Sequence, residues 1–124
     1  MDPIVRDFLI TGREVDDLTP LEEAVRDVCR GIYDPEIPVP IWDLGLIYGW
    51  TITPVDSPEG DVRVDVRMTL TAPNCPAAES LPAEVRAGVG ALDSVAEADV
   101  EIVFVPSYSM EMLGDEARLT LGLM

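Results

Sequence analysis

The stretch Asp61-Val62-Arg63-Val64-Asp65-Val66-Arg67-Met68-Thr69-Leu70 decides the fold, because apolar and polar residues alternate along it almost without fault. A period of two residues is typical of a β-strand with one face in a core and the other in water. The apolar set is predicted to face inward: Val62, Val64, Val66, Met68 and Leu70. The polar set is predicted to face outward: Asp61, Arg63, Asp65, Arg67 and Thr69.

Two further strands are predicted around this one. Upstream, residues 43–53 are rich in aromatic and β-branched side chains, which favour a strand. One face of that strand should carry Leu46, Tyr48, Trp50 and Ile52. The turn signal Ser57-Pro58-Glu59-Gly60 then predicts an antiparallel hairpin. Downstream, residues 100–105 predict a third strand that Pro106 stops.

Helical patterns flank the hairpin. The first begins at Thr19-Pro20-Leu21-Glu22, a capping box with proline at the first helical position, and ends at Gly31. Its apolar face carries Leu21, Ala24, Val25, Val28, Cys29 and Ile32. The second lies between the hairpin and the third strand, and Pro82 should kink it or split off its first turn. Its apolar face carries Ala78, Leu81, Val85, Val89 and Leu92.

The order of these elements predicts an α+β fold in two layers. A helical connection of this length is typical of a right-handed crossover, so the third strand should be parallel to one member of the hairpin. Residues 1–17 are interpreted as a flexible N-terminal arm, and residues 18–124 as one domain. The domain should read helix-strand-strand-helix-strand-helix, with a small mixed three-stranded sheet and a last helix near residues 115–121.

Charge excludes several partners. The 124 residues carry 24 acidic and 8 basic side chains, the basic ones are all arginine, and the net charge is -16. Nucleic acid and anionic lipid bind clusters of Lys and Arg, and the sequence has none, so neither partner is expected. The acidity is typical of a soluble protein, and a basic protein surface is the alternative explanation. No apolar run is long enough to span a membrane, and two cysteines without a signal-peptide pattern indicate a cytoplasmic protein.

The absence of histidine restricts the chemistry. Neither a Cys-His or Ser-His-Asp site nor a histidine-ligated metal centre can be built from a chain with no histidine. A thiolate enzyme would lack the usual general base, so we expect that the protein is not an enzyme. Any metal would have to use Cys75 together with carboxylates, a second subunit or an external thiol.

The two cysteines have different surroundings. Cys75 lies at the start of the second helical pattern, where a helix N-terminus can lower a thiol pKa from about 8.5 to roughly 3.5–7.5. A buried structural cysteine at a strand-helix junction is the alternative. Cys29 lies on the apolar face of the first helix, where a core role is favoured over a ligand role.

Three other polar sites are candidates. Asp34-Pro35-Glu36 is either a functional loop or a turn after the first helix. Asp43 lies beside Trp42 and Leu44 at a strand entrance, where a carboxylate needs a partner. Thr71 either bonds a thiolate at Cys75 or caps the helix, and the cap is favoured.

These residues lie in motifs that resemble the SufT/PaaD-type domain family. The motifs are Asp34-Pro35-Glu36-Ile37-Pro38, Asp43-Leu44-Gly45-Leu46-Ile47-Tyr48, Met68-Thr69-Leu70-Thr71-Ala72-Pro73-Asn74-Cys75-Pro76 and Glu116-Ala117-Arg118-Leu119-Thr120-Leu121-Gly122-Leu123. The resemblance implies a fold similar to the C-terminal domain of NifU-like scaffolds and a role in iron-sulfur protein maturation. The family's cysteine falls on Cys75, and its acidic residues fall on Asp34, Glu36 and Asp43.

The sequence also differs from its relatives. NifU-like domains that hold a cluster carry a Cys-x-x-Cys pair, whereas Cys75 is followed by Pro76-Ala77-Ala78. Pro106-Ser107-Tyr108-Ser109-Met110 replaces a Pro-Trp-Thr-Pro-like run. The cysteine-rich tail of PaaD proteins does not follow, which favours SufT over PaaD.

Two functions follow from the resemblance. The first is a maturation factor that uses Cys75 to hold iron or a cluster transiently, alone or across a homodimer, and delivers it to client apoproteins in contact with cluster-assembly proteins. No tightly bound cofactor is expected in a monomer. The second is a non-catalytic subunit that supports an oxygenase, with Cys75 structural. Its contact surface would then comprise residues 42–50 and the C-terminal helix.

Overall fold

A computed structural model describes residues 3–8, 18–34, 39–56, 61–70 and 80–104. The elements in these ranges are β1 (Ile4–Asp7), α1 (Pro20–Arg30), α2 (Ile41–Leu44), β2 (Ile47–Pro54), β3 (Val62–Met68), α3 (Ser80–Gly90) and β4 (Val95–Ile102). The strands form one mixed sheet in the order β1-β2-β3-β4. The apolar faces of sheet and helices enclose a single core, so the predicted α+β class is confirmed.

The predicted hairpin and crossover are both present. β2 and β3 are antiparallel, and Ile52 is opposite Val64. β3 and β4 are parallel, and Met68 is opposite Ile102. Along β3, buried and half-buried residues alternate as the sequence predicts. A helix between two parallel neighbours brings the ends of β3 and β4 to one edge of the sheet.

The predicted three-stranded sheet is wrong, because β1 adds a fourth strand. Ile4–Asp7 pairs antiparallel with β2, and Arg6 is opposite Trp50. Phe8 follows β1 and is 2% exposed. Residues 4–8 are therefore part of sheet and core, although the sequence suggested a flexible arm. The rest of that arm and the C-terminal helix predicted near residues 115–121 lie outside the described residues.

Two strand boundaries also differ from the prediction. β2 begins at Ile47, because the preceding residues Ile41–Leu44 form the helical turn α2. β4 runs over Val95–Ile102, so it begins five residues earlier than predicted. The early part of β4 is rich in Ala, Glu and Asp, which have low strand propensity. Pairing with β3 overrides that propensity: Arg63 is opposite Glu97, and Asp65 is opposite Asp99.

The capping box of α1 is confirmed. Thr19 Oγ1 accepts a hydrogen bond from Glu22 N at 3.2 Å, and Glu22 Oε1 accepts one from Thr19 N at 3.1 Å. Gly31 is the C-cap, as predicted. Cys29 lies in the core at 0% exposure, which confirms its predicted place. Burial raises the pKa of its thiol to about 12, so the thiol stays protonated and inert at neutral pH.

Helix α3 tolerates its proline because of where it lies. The helix runs over Ser80–Gly90, so Pro82 is in the first turn, where a missing N–H leaves no intrahelical bond unmade. The proline therefore does not split the described helix. Both α1 and α3 have 11 residues, and no helix in the described ranges is long and apolar enough to cross a membrane.

Close packing of α1 against α3 predicts opposite effects for two glycines of α3. A Cβ at Gly88 would lie 2.6 Å from Val28 Cγ1, and the β-branched Val28 side chain has little freedom to move. Gly88→Ala should therefore lower the free energy of unfolding by about 1–3 kcal/mol. Gly90→Ala is the matched control, because its Cβ would lie 3.7 Å from Ala98 Cβ, an ordinary contact. It should be neutral or stabilise by up to about 1 kcal/mol. Urea unfolding of both variants checks this, and equal midpoints would contradict it.

Charged residues cover the outer face of β3 and β4. Arg63 lies 2.9 Å from Asp65 Oδ1, 2.9 Å from Glu97 Oε2 and 3.5 Å from Asp99 Oδ2. Hydrogen bonds to Asp65 and Glu97 raise the pKa of Arg63 further above its usual value. These pairs are exposed, so they fix side-chain positions more than they stabilise the fold.

Candidate functional site

The short turn α2 carries Asp43. It begins after Pro40 and ends at Gly45, whose φ of 81° is left-handed. Leu44 N donates to Pro40 O at 3.0 Å, and Gly45 N donates to Trp42 O at 3.1 Å. Glycine adopts a positive φ without strain, so Gly45 ends the helix after four residues. Asp43 was predicted at a strand entrance, but it lies on a helical turn with its side chain half-buried.

The end of β3 meets the exit of this turn. Thr69 N donates to Leu46 O at 2.8 Å, and Val103 N donates to Met68 O at 2.8 Å. The residues after β3 are therefore held between the residue before β2 and the residue after β4. We call this the site edge: it is formed by α2, Leu46 and residues 68–70. The sequence continues from it into the segment that contains Thr71 and Cys75.

Asp34 lies beside the same turn. Tyr33 and Pro40 form an isolated antiparallel bridge, which closes the loop between them. Asp34 follows one side of this bridge, and α2 with Asp43 follows the other. Asp34 is 4% exposed, so it is not the residue of a solvated turn. Buried carboxylates need specific partners, which favours the functional interpretation of this residue over the simple turn.

Thr69 is a residue of this edge that the sequence pattern assigned to solvent. The prediction that it faces outward is wrong, because its side chain is 1% exposed. The regular strand ends at Met68. Beyond it, the alternation no longer determines whether a side chain faces the core or the solvent. Within the described ranges, its Oγ1 atom has no hydrogen-bond partner. Since buried hydroxyls are normally bonded, Thr69 joins the candidate residues of the site edge.

The other predicted site residues lie outside the described ranges. They are Glu36, Thr71 and Cys75, so the position of Cys75 at a helix N-terminus stays a prediction. Among the described residues, no three His, Cys, Asp or Glu side chains are grouped so that they could hold a metal ion. Asp34 and Asp43 are therefore brought into one region without forming a complete metal site by themselves.

The buried environment of a further carboxylate, Glu22, was missed by sequence reasoning. Glu22 is 0% exposed, and beyond its role in the capping box it binds Arg6 and Trp50. Burial alone would raise the pKa of Glu22. The hydrogen bonds from Arg6, Trp50 and Thr19, with the charge of Arg6, outweigh burial and lower that pKa below its usual value. No signal in the sequence could reveal this pair, since Arg6 belongs to a segment that was interpreted as flexible.

Comparison with known proteins shows which family the chain belongs to. The profile of one family, described as iron-sulfur cluster assembly protein, matches residues 22–102. A Porphyromonas gingivalis protein named Fe-S protein maturation auxiliary factor is 41% identical over 103 residues, which cover 83% of this chain and 92% of the relative. The chain belongs to the iron-sulfur cluster assembly protein family. The predicted resemblance is confirmed.

Further relatives carry similar names. Fe-S protein maturation auxiliary factor YitW of Bacillus subtilis is 33% identical over 107 residues, covering 83% of this chain and 99% of the relative. Fe-S protein maturation auxiliary factor SufT of Staphylococcus aureus is 29% identical over 92 residues, covering 74% and 98%. Among solved structures, a domain of unknown function, DUF59, from Bacillus anthracis is similar with a TM-score of 0.70. It is 27% identical and covers 84% of this chain and 93% of that one.

The family profile matches the predicted site residues but not the N-terminal strand. Residues 22–102 include every predicted site residue, from Asp34 to Cys75. They exclude β1 and Phe8, although both are part of sheet and core. The predicted similarity to NifU C-terminal domains stays a prediction.

Proposed function

We propose that this member of the iron-sulfur cluster assembly protein family matures iron-sulfur proteins by handling iron or a cluster transiently at Cys75 and delivering it to client apoproteins. The observation that carries the proposal is the bond between Thr69 N and Leu46 O. It joins Leu46, two residues after the turn that bears Asp43, to the end of β3, from which the sequence continues toward Cys75. Relatives of similar length are named maturation auxiliary factors, which supports the same role.

The ligand set suits a transient carrier. One thiolate combined with carboxylates would be a mixed soft and hard donor set, and a chain without histidine has no imidazole ligand to add. In this proposal Cys75 binds the cargo, Thr71 bonds the thiolate or caps the helix, and Asp34, Glu36 and Asp43 complete the binding region. A cluster would then be labile and would bridge two chains or recruit an external thiol.

The proposed partners are client apoproteins and cluster-assembly proteins. The proposed location is the cytoplasm, where a reducing environment keeps a thiol such as Cys75 available. The names of the relatives describe auxiliary factors, and we infer that the protein is not an enzyme.

The alternative, a subunit that supports an oxygenase, has less support. Its expected contact surface comprised residues 42–50 and the C-terminal helix. The helix lies outside the described residues, and within residues 42–50 Trp42 is 2% exposed and Trp50 is 0% exposed. Side chains buried to this degree stabilise the core and cannot form a docking surface without unfolding.

Deletion of the gene tests the proposal. Several unrelated iron-sulfur enzymes, including an aconitase-type enzyme, should lose activity together, because a delivery factor serves many clients. Enzymes without clusters are the control, and they should keep full activity. The measurement is enzyme activity in extracts, with client protein levels checked by immunoblot. Loss confined to a single oxygenase would contradict the proposal and favour the alternative.

A further inference from the structure

Three aromatic side chains form a cluster that includes Trp42 of the site edge. Phe8 lies 4.7 Å from Trp50 and 5.2 Å from Trp42 between ring centroids, and both contacts are edge-to-face. The two tryptophans are stacked at 5.9 Å. We call Phe8, Trp42 and Trp50 the aromatic cluster. Edge-to-face contacts have a preferred geometry, so the cluster constrains the orientation of each ring.

Strand β1 fixes the backbone next to Phe8 through the hydrogen bonds of Arg6. Arg6 Nε donates to Glu22 Oε2 at 2.6 Å, and Arg6 Nη2 donates to Glu22 Oε1 at 3.0 Å. Trp50 Nε1 donates to the same carboxylate at 3.0 Å. The main chain is held as well, because Arg67 Nη2 donates to Arg6 O at 2.8 Å. Phe8 therefore enters the cluster from a fixed backbone.

The turn α2 contacts this cluster through Trp42, and it also buries Ile41 and Leu44. A helix of four residues is too short to be stable by itself, so its position is set by the side chains that it buries. Trp42 is one of these side chains, and it is directly followed by Asp43. Any movement of the Trp42 ring that shifts its backbone also shifts Asp43.

We propose that Phe8 is a positioning residue, which holds Trp42 and thereby fixes the turn that presents Asp43 at the site edge. This inference rests on the proposed function for the importance of Asp43. It adds a role for a strand that lies outside residues 22–102, the part that the family profile matches. Phe8 does not bind the cargo. It acts only through Trp42.

Amide hydrogen exchange in the full chain tests the positioning directly. The amides of Leu44, Gly45 and Leu46 are bonded within or beside α2 and report its opening. In Phe8→Ala they should exchange roughly tenfold or more faster than in the wild type, while the β2–β3 amides change much less, as expected for a cavity beside one short element. Phe8→Leu fills most of the cavity and should restore slow exchange in part.

Two variants of the same strand are matched controls. Val5→Ala alters a side chain that is 66% exposed and should change nothing. Ile4→Ala truncates a side chain that packs on the core opposite Ile52. It should destabilise the whole fold and should not speed amide exchange in α2 more than elsewhere. Faster exchange of all amides to the same degree in Phe8→Ala, or the same local pattern in Ile4→Ala, would overturn the positioning role.

A cellular measurement separates this inference from the proposed function. Client iron-sulfur enzyme activity is measured in cells with Phe8→Ala, Phe8→Leu, Ile4→Ala or Asp43→Asn at equal protein levels. Loss in Phe8→Ala and Asp43→Asn, with partial rescue by Phe8→Leu, supports both proposals. If Asp43→Asn retains full activity while Phe8→Ala still loosens α2, the positioning stands and the role of Asp43 falls. If Phe8→Ala retains tight α2 amides, the positioning is overturned whatever the activity.

Discussion

Cells that carry Cys75→Ala in place of the wild type are expected to lose the activity of several unrelated iron-sulfur enzymes, close to the level of the deletion strain. The reason is the count of usable thiols. Cys29 is buried, and its raised pKa keeps it protonated, so Cys75 is the single thiol left to hold iron or a cluster. Cys75→Ala should leave the fold intact, since removing one small thiol costs less than the 2–5 kcal/mol typical of large core truncations.

Cys29→Ala is the matched control for this result. It removes the other cysteine and opens a small cavity in the core, so it should lower stability and leave client activity intact at equal protein levels. Iodoacetamide at neutral pH should modify Cys75 much faster than Cys29 in the folded wild type. Full client activity in Cys75→Ala cells would move the function away from the thiol, and Asp43 and Asp34 would be the next residues to replace.

The sheet was predictable where periodicity was long and local. Residues 62–68 alternate over a whole strand, and the capping box at Thr19 marks a helix start through residues three apart. Both signals depend on residues that are close in sequence, so they can be recognised without knowledge of the fold. The parallel placement of β4 followed from the length of the connection alone.

The missed features depend on partners that are distant in sequence. β1 has four residues, too few for a period, and its anchor Glu22 lies 16 residues beyond Arg6. The turn α2 lies in an apolar run that resembles a strand, and only Gly45 with its left-handed φ marks its end. For the candidate site, sequence motifs supplied Asp34 and Asp43, whereas the burial of Thr69 and the cluster around Phe8 required the fold.

Loss of the Glu22 carboxylate is expected to have the largest effect on stability. Glu22 is fully buried, and it accepts hydrogen bonds from Arg6, Trp50 and the backbone of Thr19. Glu22→Ala removes all of these bonds and takes this carboxylate away from the Arg6 guanidinium, which is 21% exposed. Breaking a buried ion pair from one side costs about 3–5 kcal/mol, and the partial exposure of Arg6 puts the expected cost at the lower end of that range. Glu22→Gln keeps the shape and should cost about 1.5–3 kcal/mol, since it removes bonds to a charged group.

The same carboxylate should give the wild type a distinct dependence on pH. The folded pKa of Glu22 is lowered from its ordinary value of 4.5, so the folded state binds this proton less readily than the unfolded state. The stabilisation by the ionised carboxylate is therefore fully present above pH 4.5 and is lost as the pH falls toward the lowered folded value. Glu22→Gln has no such group, so the stability difference between the two proteins should shrink as the pH falls below 4.5.

Urea unfolding of wild type, Glu22→Gln and Glu23→Gln between neutral and acidic pH measures this dependence. Glu23 lies in the same first turn of α1 but is exposed, so Glu23→Gln controls for the loss of one negative charge from a chain of net charge -16. Its curve should run parallel to that of the wild type apart from a small offset.

A double-mutant cycle with Arg6→Met adds a second check. If the two groups interact, the double variant should lose less free energy of unfolding than the sum of the losses in the two single variants. Additive costs, or a Glu22→Gln difference that stays constant with pH, would mean that the pair does not anchor β1, and the fixed backbone from which Phe8 enters the aromatic cluster would lose its main support.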